Sequence, residues 1–529
     1  MTLSRRDLIR WSATGLGVGS VASLLAACSD DAIEGSPSAP LSSSVPTEPS
    51  ATAIATDPLT TAATTTAATT TTATIAPTPT TTPFESNRPW WLQGNFAPVA
   101  NEVESVTLSV TGSIPPELSG LFVRNGSNPS AADSPHWFLG DGMMHGLRVS
   151  DGQVEWYRNR YVNTTMYQAH AGFGQGPPGA ASNQSNVSCI WHSGKLLTSG
   201  EVGFPYHVDP TDLTTVGPYD FDGVLTSAFT AHPKIDPDTG RMHSFGYGFT
   251  APFLTYHVTE ADGTMVHTET VDIPRSVMMH DFAITESDAV FWDLPVVFDL
   301  DVAVASMNDP NAAGFPYRWQ PDAGARVGVM PLAGGASAIQ WFDIDPCFVF
   351  HGVNAFRRGG DVVIDVCHLD SMFEDGQVLG GAASLRRWTL DTAAGTAAQE
   401  VLETEQLGDL PSRDPRRVGR EHRYGYLAAT RPNADTVELG GLIKHDFVNG
   451  SRDAWDPGPT SHCGEWLFVP AGADLADDAG YLLAYLHDEA TGVSEFVIVD
   501  ATRVGAGPIA RVALPQRVPY GFHATWIPD

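Results

Sequence analysis

A chain of 529 residues is longer than a single hydrophobic core usually supports, so it needs either several domains or an architecture that grows by repetition. Its 61 acidic against 29 basic residues leave a formal net charge of −32, which repels phosphate backbones and argues against nucleic acid as a partner. Five cysteines without a C-x-x-C pair argue against both a disulfide scaffold and a thiolate zinc site.

The amino terminus reads as an address. Arg5 and Arg6 in "SRRDLIRW" precede a stretch that carries no charge from Trp11 to Cys28. That stretch is short for a membrane-spanning helix and fits the apolar region of an export signal. Paired arginines favour the twin-arginine route, which carries folded proteins. "LAAC", Leu25 to Cys28, has the form of a lipobox in which Cys28 is lipidated; the alternative is a plain cleavage site with an incidental cysteine. The expectation is a signal over residues 1–28 and attachment to the outer face of the bacterial cytoplasmic membrane. Residues 29–83 are rich in Thr, Ala and Pro and have no apolar face to offset their ordering entropy, which predicts a disordered tether.

From residue 84 to residue 529 the pattern is that of strands. "VTLSV", "VEWYRNRYV", "FLTYHV", "VFWDLPVVF", "DVVIDVCHL", "YLLAYLHD" and "EFVIVD" are rich in β-branched and aromatic residues. Turn signals such as "DPDTG", "EADG" and "RRGG" separate such runs. This many strands exceed a simple sandwich. Radial repetition of four-stranded blades accommodates them without long exposed edges, so the pattern predicts an all-β propeller.

Four of the 17 histidines stand next to strand-like segments among small or apolar neighbours: His232 in "AHPKIDPDTG", His280 in "MMHDFAIT", His351 in "FHGVNAF" and His523 in "YGFHATW". Their separation argues against a local motif such as H-E-x-x-H. In a propeller the inner strands of different blades converge on one axis, where four imidazoles can surround one ion of iron, copper, zinc or nickel. Carboxylates are then expected to accept the outer N–H of the ligands, and Glu201, Asp409 and Glu465 are the candidates; each also reads as an ordinary solvated loop acid.

"AHPKIDPDTG", "HDFAIT", "HGVNAF" and "GFHATW" together resemble, in order, the iron-histidine motifs of the carotenoid cleavage oxygenase family. "GLFVRNGSNP", "HWFLGDGMMHGLRV", "RRVGREHRYGY" and "DDAGYLLAY" resemble further family segments, so the similarity covers the chain from about Trp91 onward. The resemblance implies a seven-bladed propeller with an axial four-histidine iron site and a loop or helical cap over one face. It implies one Fe(2+) per chain on His232, His280, His351 and His523, and cleavage of a conjugated carbon–carbon double bond by O2 to two carbonyl products. Glu201 and Glu465 match family glutamates, whereas Asp409 in "DLP" stands where the family usually has a glutamate. One methylene fewer implies an inward backbone, a bridging water or a looser ligand. Val187 falls where a small branched residue faces an open position on the metal.

Stilbene-cleaving members commonly carry a lysine where this chain has Gly200, with a partner tyrosine near Tyr167. Loss of that charged donor favours an apocarotenoid or another long polyene over a phenolic stilbene. A lipid anchor agrees with extraction of an apolar substrate from a bilayer. "FTAPFLTY" and "AGFGQGPP" are candidates for the mouth of a substrate tunnel. Two other classes are a propeller that binds an apolar ligand without catalysis, and a zinc-dependent hydrolase, which needs a placed acid–base group. The last twelve residues, "VPYGFHATWIPD", are expected to form the closing inner strand, with Tyr520, Phe522 and Trp526 holding His523 in its aim.

Overall fold

The computed structural model describes residues 88–529 except 172–178, 309–314, 375–380, 406, 432–437 and 474. The signal and tether expected over residues 1–83, with Cys28, lie outside the described residues. Among the described residues no helix is long and apolar enough to cross a membrane.

Seven antiparallel sheets form the blades of a β-propeller. Blade 1 has Gly120–Ser127, Gly142–Ser150 and Gln153–Tyr161. Blade 2 runs from Ser188–His192 to Thr215–Pro218, and blade 3 from Lys234–Ile235 to Met265–Thr270. Blade 4 runs from Ala283–Ile284 to Gln340–Ile344, blade 5 from Phe348–Arg358 to Thr396–Glu403, and blade 6 from Gly408–Ser412 to Ser451–Trp455. Blade 7 spans Ser461–Cys463 to Pro508–Ala513. A small hairpin of Val296–Phe298 and Tyr317–Trp319 is inserted in blade 4.

Strands near each chain end knit the ring shut. Ala524–Pro528 pairs with Gly120–Ser127, and Val110–Gly112 pairs with Pro508–Ala513. A sheet contributed by both ends removes a free inner edge, and the ring cannot open without breaking this ladder.

Burial along the strands follows their depth. Asp288–Asp293 is buried throughout because its two faces meet neighbouring blades, whereas the outer Thr396–Glu403 is mostly exposed or half-buried. Blades 3, 4 and 5 share one core in which Phe245, Phe291, Trp292 and Trp388 are fully buried. In the "DPDTG" turn, Gly240 takes φ +70°, and the Asp236 carboxylate accepts from the Asp238 amide.

Candidate metal centre

His232 and His280 lie just before the first strands of blades 3 and 4, His351 lies within the first strand of blade 5, and His523 precedes the closing strand of blade 1. His523 is therefore outside that strand, which begins at Ala524. His351 occupies an irregular stretch where the register shifts between Val349 and Gly352. Such an irregularity re-aims a side chain.

One ring nitrogen of each histidine comes together with the others, all within 4.8 Å. Nε2 of His232 is 2.9 Å from Nε2 of His280, and Nε2 of His351 is 3.2 Å from Nε2 of His523. Backbone and carboxylate contacts set these positions. Asp281, next to His280, accepts from Lys234 Nζ at 2.6 Å and from the Gly352 amide at 2.9 Å. One buried carboxylate thus ties the segments that carry His232, His280 and His351. His523 is fixed separately: its amide donates to the Val187 carbonyl, and the Asn125 amide donates to its carbonyl.

The outer nitrogens meet carboxylates. Glu201 Oε1 contacts His280 Nδ1, and Glu201 Oε2 accepts from the Tyr247 hydroxyl at 2.9 Å. Glu201 is held at φ +74°, a strained conformation for a side-chain-bearing residue, which the surrounding contacts must maintain. Asp409 Oδ1 lies 2.7 Å from His351 Nδ1. The shorter side chain reaches without an intervening water because the strand Gly408–Ser412 shifts register after Asp409 and Leu410 turns to φ +52°. Glu465 Oε1 is 3.4 Å from His523 Nδ1, while its Oε2 accepts from the Ala524 amide at 2.7 Å.

With Nδ1–H donated outward to a carboxylate, Nε2 carries the lone pair. The cluster then presents several lone pairs to one point, which repel unless a cation lies between them. Protonation is a poor substitute at His232: burial, then the His523, His280 and His351 rings, hold its pKa well below the usual range. At His280 burial works in the same direction, but the Glu201 carboxylate outweighs it and raises the pKa. Neutral nitrogen donors with oriented outer N–H groups fit a borderline divalent metal.

Two cavities meet at this cluster. The first is lined by Trp137, Phe138, Phe249, Met278, Phe315, Tyr317, Phe350 and Phe522, together with His280, His351 and His523. Val187 is buried in its wall, beside Ala231 and Phe522. The second is the more polar of the two and carries Lys234, Asp281, Arg413 and Glu465 beside His232, His351 and His523. Every carboxylate lining the first cavity, Glu201 and Asp409, is engaged by a histidine.

Gly200 lines the apolar cavity, and a Cβ there would lie 2.8 Å from the Ser185 amide nitrogen. This backbone leaves no room for a side chain at that position. Tyr167 stands apart from the histidine cavity: it stacks on Tyr161 at 4.8 Å and lines a separate polar cavity. Phe249 of "FTAPFLTY" lines the apolar cavity, whereas Tyr256 is buried in the blade core. Most of "AGFGQGPP", residues 172–178, lies outside the described residues. Of the terminal aromatics, Tyr520 packs on Phe96, Trp526 pairs across the ladder with Phe122, and Phe522 forms cavity wall against Trp137 at 4.9 Å.

The sequence reading missed Tyr247, Tyr317, Trp137 and Phe138. The aromatic pair of "HWFL" was visible, but nothing local shows that it turns toward an axis assembled from other blades. Phe350 carried a usable signal, because it immediately precedes His351.

Residues 96–528 match the family model described as RPE65, retinal pigment epithelial membrane protein. A carotenoid cleavage oxygenase of Mycobacterium tuberculosis is 36% identical over 84% of this chain and 98% of its own length. The carotenoid 9,10(9',10')-cleavage dioxygenase 1 of Pisum sativum is 35% identical over 84% of this chain and 91% of its own. The crystal structure of Pseudomonas brassicacearum lignostilbene dioxygenase superposes with a TM-score of 0.76 at 30% identity, covering 85% of this chain and all of that one. The chain belongs to the RPE65 and carotenoid cleavage oxygenase family, and it is an oxygenase.

Proposed function

We propose that the protein is an Fe(II)-dependent dioxygenase that cleaves a conjugated carbon–carbon double bond of an apolar polyene, a carotenoid or apocarotenoid, giving two carbonyl products. The observation that carries this is the four-histidine cluster opening onto an aromatic cavity. His232, His280, His351 and His523 hold one Fe(2+), with Glu201, Asp409 and Glu465 fixing the rings of His280, His351 and His523. Bound there, the iron supplies the one-electron chemistry that lets O2 react with an alkene.

The chain's own residues bind, orient and exclude water. Phe350 lies 5.3 Å from the His280 ring, and Trp137, Phe138 and Phe522 form a continuous aromatic wall. Such a wall accepts an extended conjugated chain through apolar contact and dispersion. Val187 is the small branched wall residue at the open face of the metal. A cap over that face belongs to the same proposal, and Trp137, Phe138, Leu139, Phe315 and Tyr317 in the cavity wall support it. The outer N–H of His280, His351 and His523 meets a carboxylate, so among the described residues both carboxylates lining the cavity, Glu201 and Asp409, are already engaged, which speaks against a hydrolase.

The crowding behind Gly200 supports the polyene over a phenolic stilbene, because no lysine fits there to hold a phenol. Against this, the lignostilbene dioxygenase is a close structural neighbour, so a stilbene-cleaving activity is the second reading. The export signal, lipidation at Cys28 and attachment to the outer face of the cytoplasmic membrane belong to the same proposal, in which the enzyme draws its substrate from the bilayer. Purified protein is tested for iron content and for oxygen uptake with a panel of apocarotenals and hydroxystilbenes. Stoichiometric dialdehyde or aldehyde products from the former support the proposal; uptake with hydroxystilbenes alone transfers it to the second reading.

A further inference from the structure

Lys234, Arg413 and Arg416 all line the more polar cavity, but their charges are not equally matched. Lys234 pairs with Asp281 at 2.6 Å. Arg416 pairs with Asp414 at 2.6 Å and also donates to the Gly472 and Ala473 carbonyls. The Arg413 guanidinium has no hydrogen bond or ion pair among the described residues, and its Nε is shut away from solvent. Asp281 and Asp414 exert the strongest pull on it, yet their oxygens are committed elsewhere. Asp281 serves Lys234 and the Phe282 and Gly352 amides, and Asp414 serves the amide and guanidinium of Arg416. Glu465, in the same wall, faces His523 and accepts from the Ala524 amide. Burial pulls the Arg413 pKa down to about 10 against the two aspartates, so the group stays protonated at neutral pH but under-compensated.

The backbone on either side of Arg413 is pinned. Ser412 Oγ accepts from the Phe468 amide at 2.9 Å, and Asp414 caps the short helical turn Pro415–Arg417. A shielded cation left without a partner is costly, and one held in place at a cavity wall is the complement of an anion. The planar guanidinium offers parallel N–H groups that match the two oxygens of a carboxylate. Exposed Pro237 and Pro415 in the same wall leave the cavity open to solvent, so such an ion can enter.

We infer that the polar cavity is an anion-binding site in which Arg413 holds a small carboxylate-type anion. It is separate from the aromatic cavity, so it stands whichever double bond is cleaved there. His232, His351 and His523 share its wall, which places the anion in the cavity that reaches the metal centre from the polar side.

The test is calorimetric titration of iron-loaded protein with sodium formate at constant ionic strength, with chloride as the balancing salt. Wild type is expected to bind formate saturably, and Arg413→Met to bind it about tenfold or more weakly, with iron content and Tm measured alongside. Arg413→Lys keeps the charge but loses the fork, and is expected to fall between the two. Wild type that binds no formate in the presence of chloride overturns the inference. So does formate binding of wild-type strength in Arg413→Met, which places the anion elsewhere, the metal included. Should Arg413→Met fail to fold, wild-type crystals soaked in formate decide. Planar density against the Arg413 guanidinium supports the site; ordered water there, or formate on the metal alone, overturns it.

Discussion

The two cavities that meet at the histidines differ in kind. On one side stand aromatic rings and aliphatic side chains, with the Glu201 and Asp409 carboxylates engaged by ligand histidines and the Tyr247 hydroxyl by Glu201. On the other stand Lys234, Asp281 and Glu465, tied into an ion pair and backbone hydrogen bonds, with Arg413 beside them. His280 lines the first, His232 the second, and His351 and His523 wall both. The polar side holds the ligand segments in place, and the apolar side is left free to receive a substrate. Changes on the polar side should therefore appear as lost stability or lost metal, and changes on the apolar side as altered substrate preference.

The strongest break is at the shared wall. His523→Ala removes one of the four nitrogens, and its iron content should fall by more than the roughly 10–100-fold that loss of an outer partner costs in affinity. Metal analysis after desalting reads this out. Retained iron with retained activity would remove His523 from the ligand set. Asp409→Ala should weaken iron affinity by about 10–100-fold, because His351 loses the acceptor that orients it; iron content equal to wild type under a competing chelator would show that Asp409 supports no ligand.

On the polar side, Lys234→Met leaves Asp281 charged and unpaired with its side chain 2% exposed, which should cost about 3–5 kcal/mol in a denaturant titration. Folded protein should keep its substrate preference, which separates this effect from those of the apolar side. Gly200→Ala puts a methyl against the Ser185 backbone and should cost about 1–3 kcal/mol. A neutral effect would mean that the position is open and that a phenol-binding side chain fits there. The smallest change is Glu421→Gln, in an exposed pair with Arg358 far from either cavity; it should cost less than about 1 kcal/mol and leave iron and activity alone.

How much of this was visible in the chain differs by feature. Alternating and apolar runs such as "DVVIDVCHL" announced strands because their side chains meet neighbouring blades. The four histidines were legible because each sits among small residues beside a strand, and the architecture supplied their convergence. The partners Glu201, Asp409 and Glu465 were legible only as candidates, since a loop acid looks the same in sequence whether it meets a histidine or water. The route by which Asp409 reaches His351 was not legible, because it depends on a register shift and on Leu410 at positive φ. Nor was the crowding at Gly200, which arises from the Ser185 backbone fifteen positions away in the chain. Asp281 stood in plain view beside His280, yet its hold on three segments exists only once blades 3, 4 and 5 are assembled.

The central claim is that the axial histidines hold iron which lets O2 cleave a double bond in the apolar cavity. The most direct measurement is oxygen uptake by purified, iron-quantified protein given an apocarotenal, with products identified by mass. The account predicts about one iron per chain and one O2 consumed for each pair of carbonyl products. Protein that holds zinc in place of iron, or iron-loaded protein that consumes no oxygen with any conjugated substrate, would contradict it.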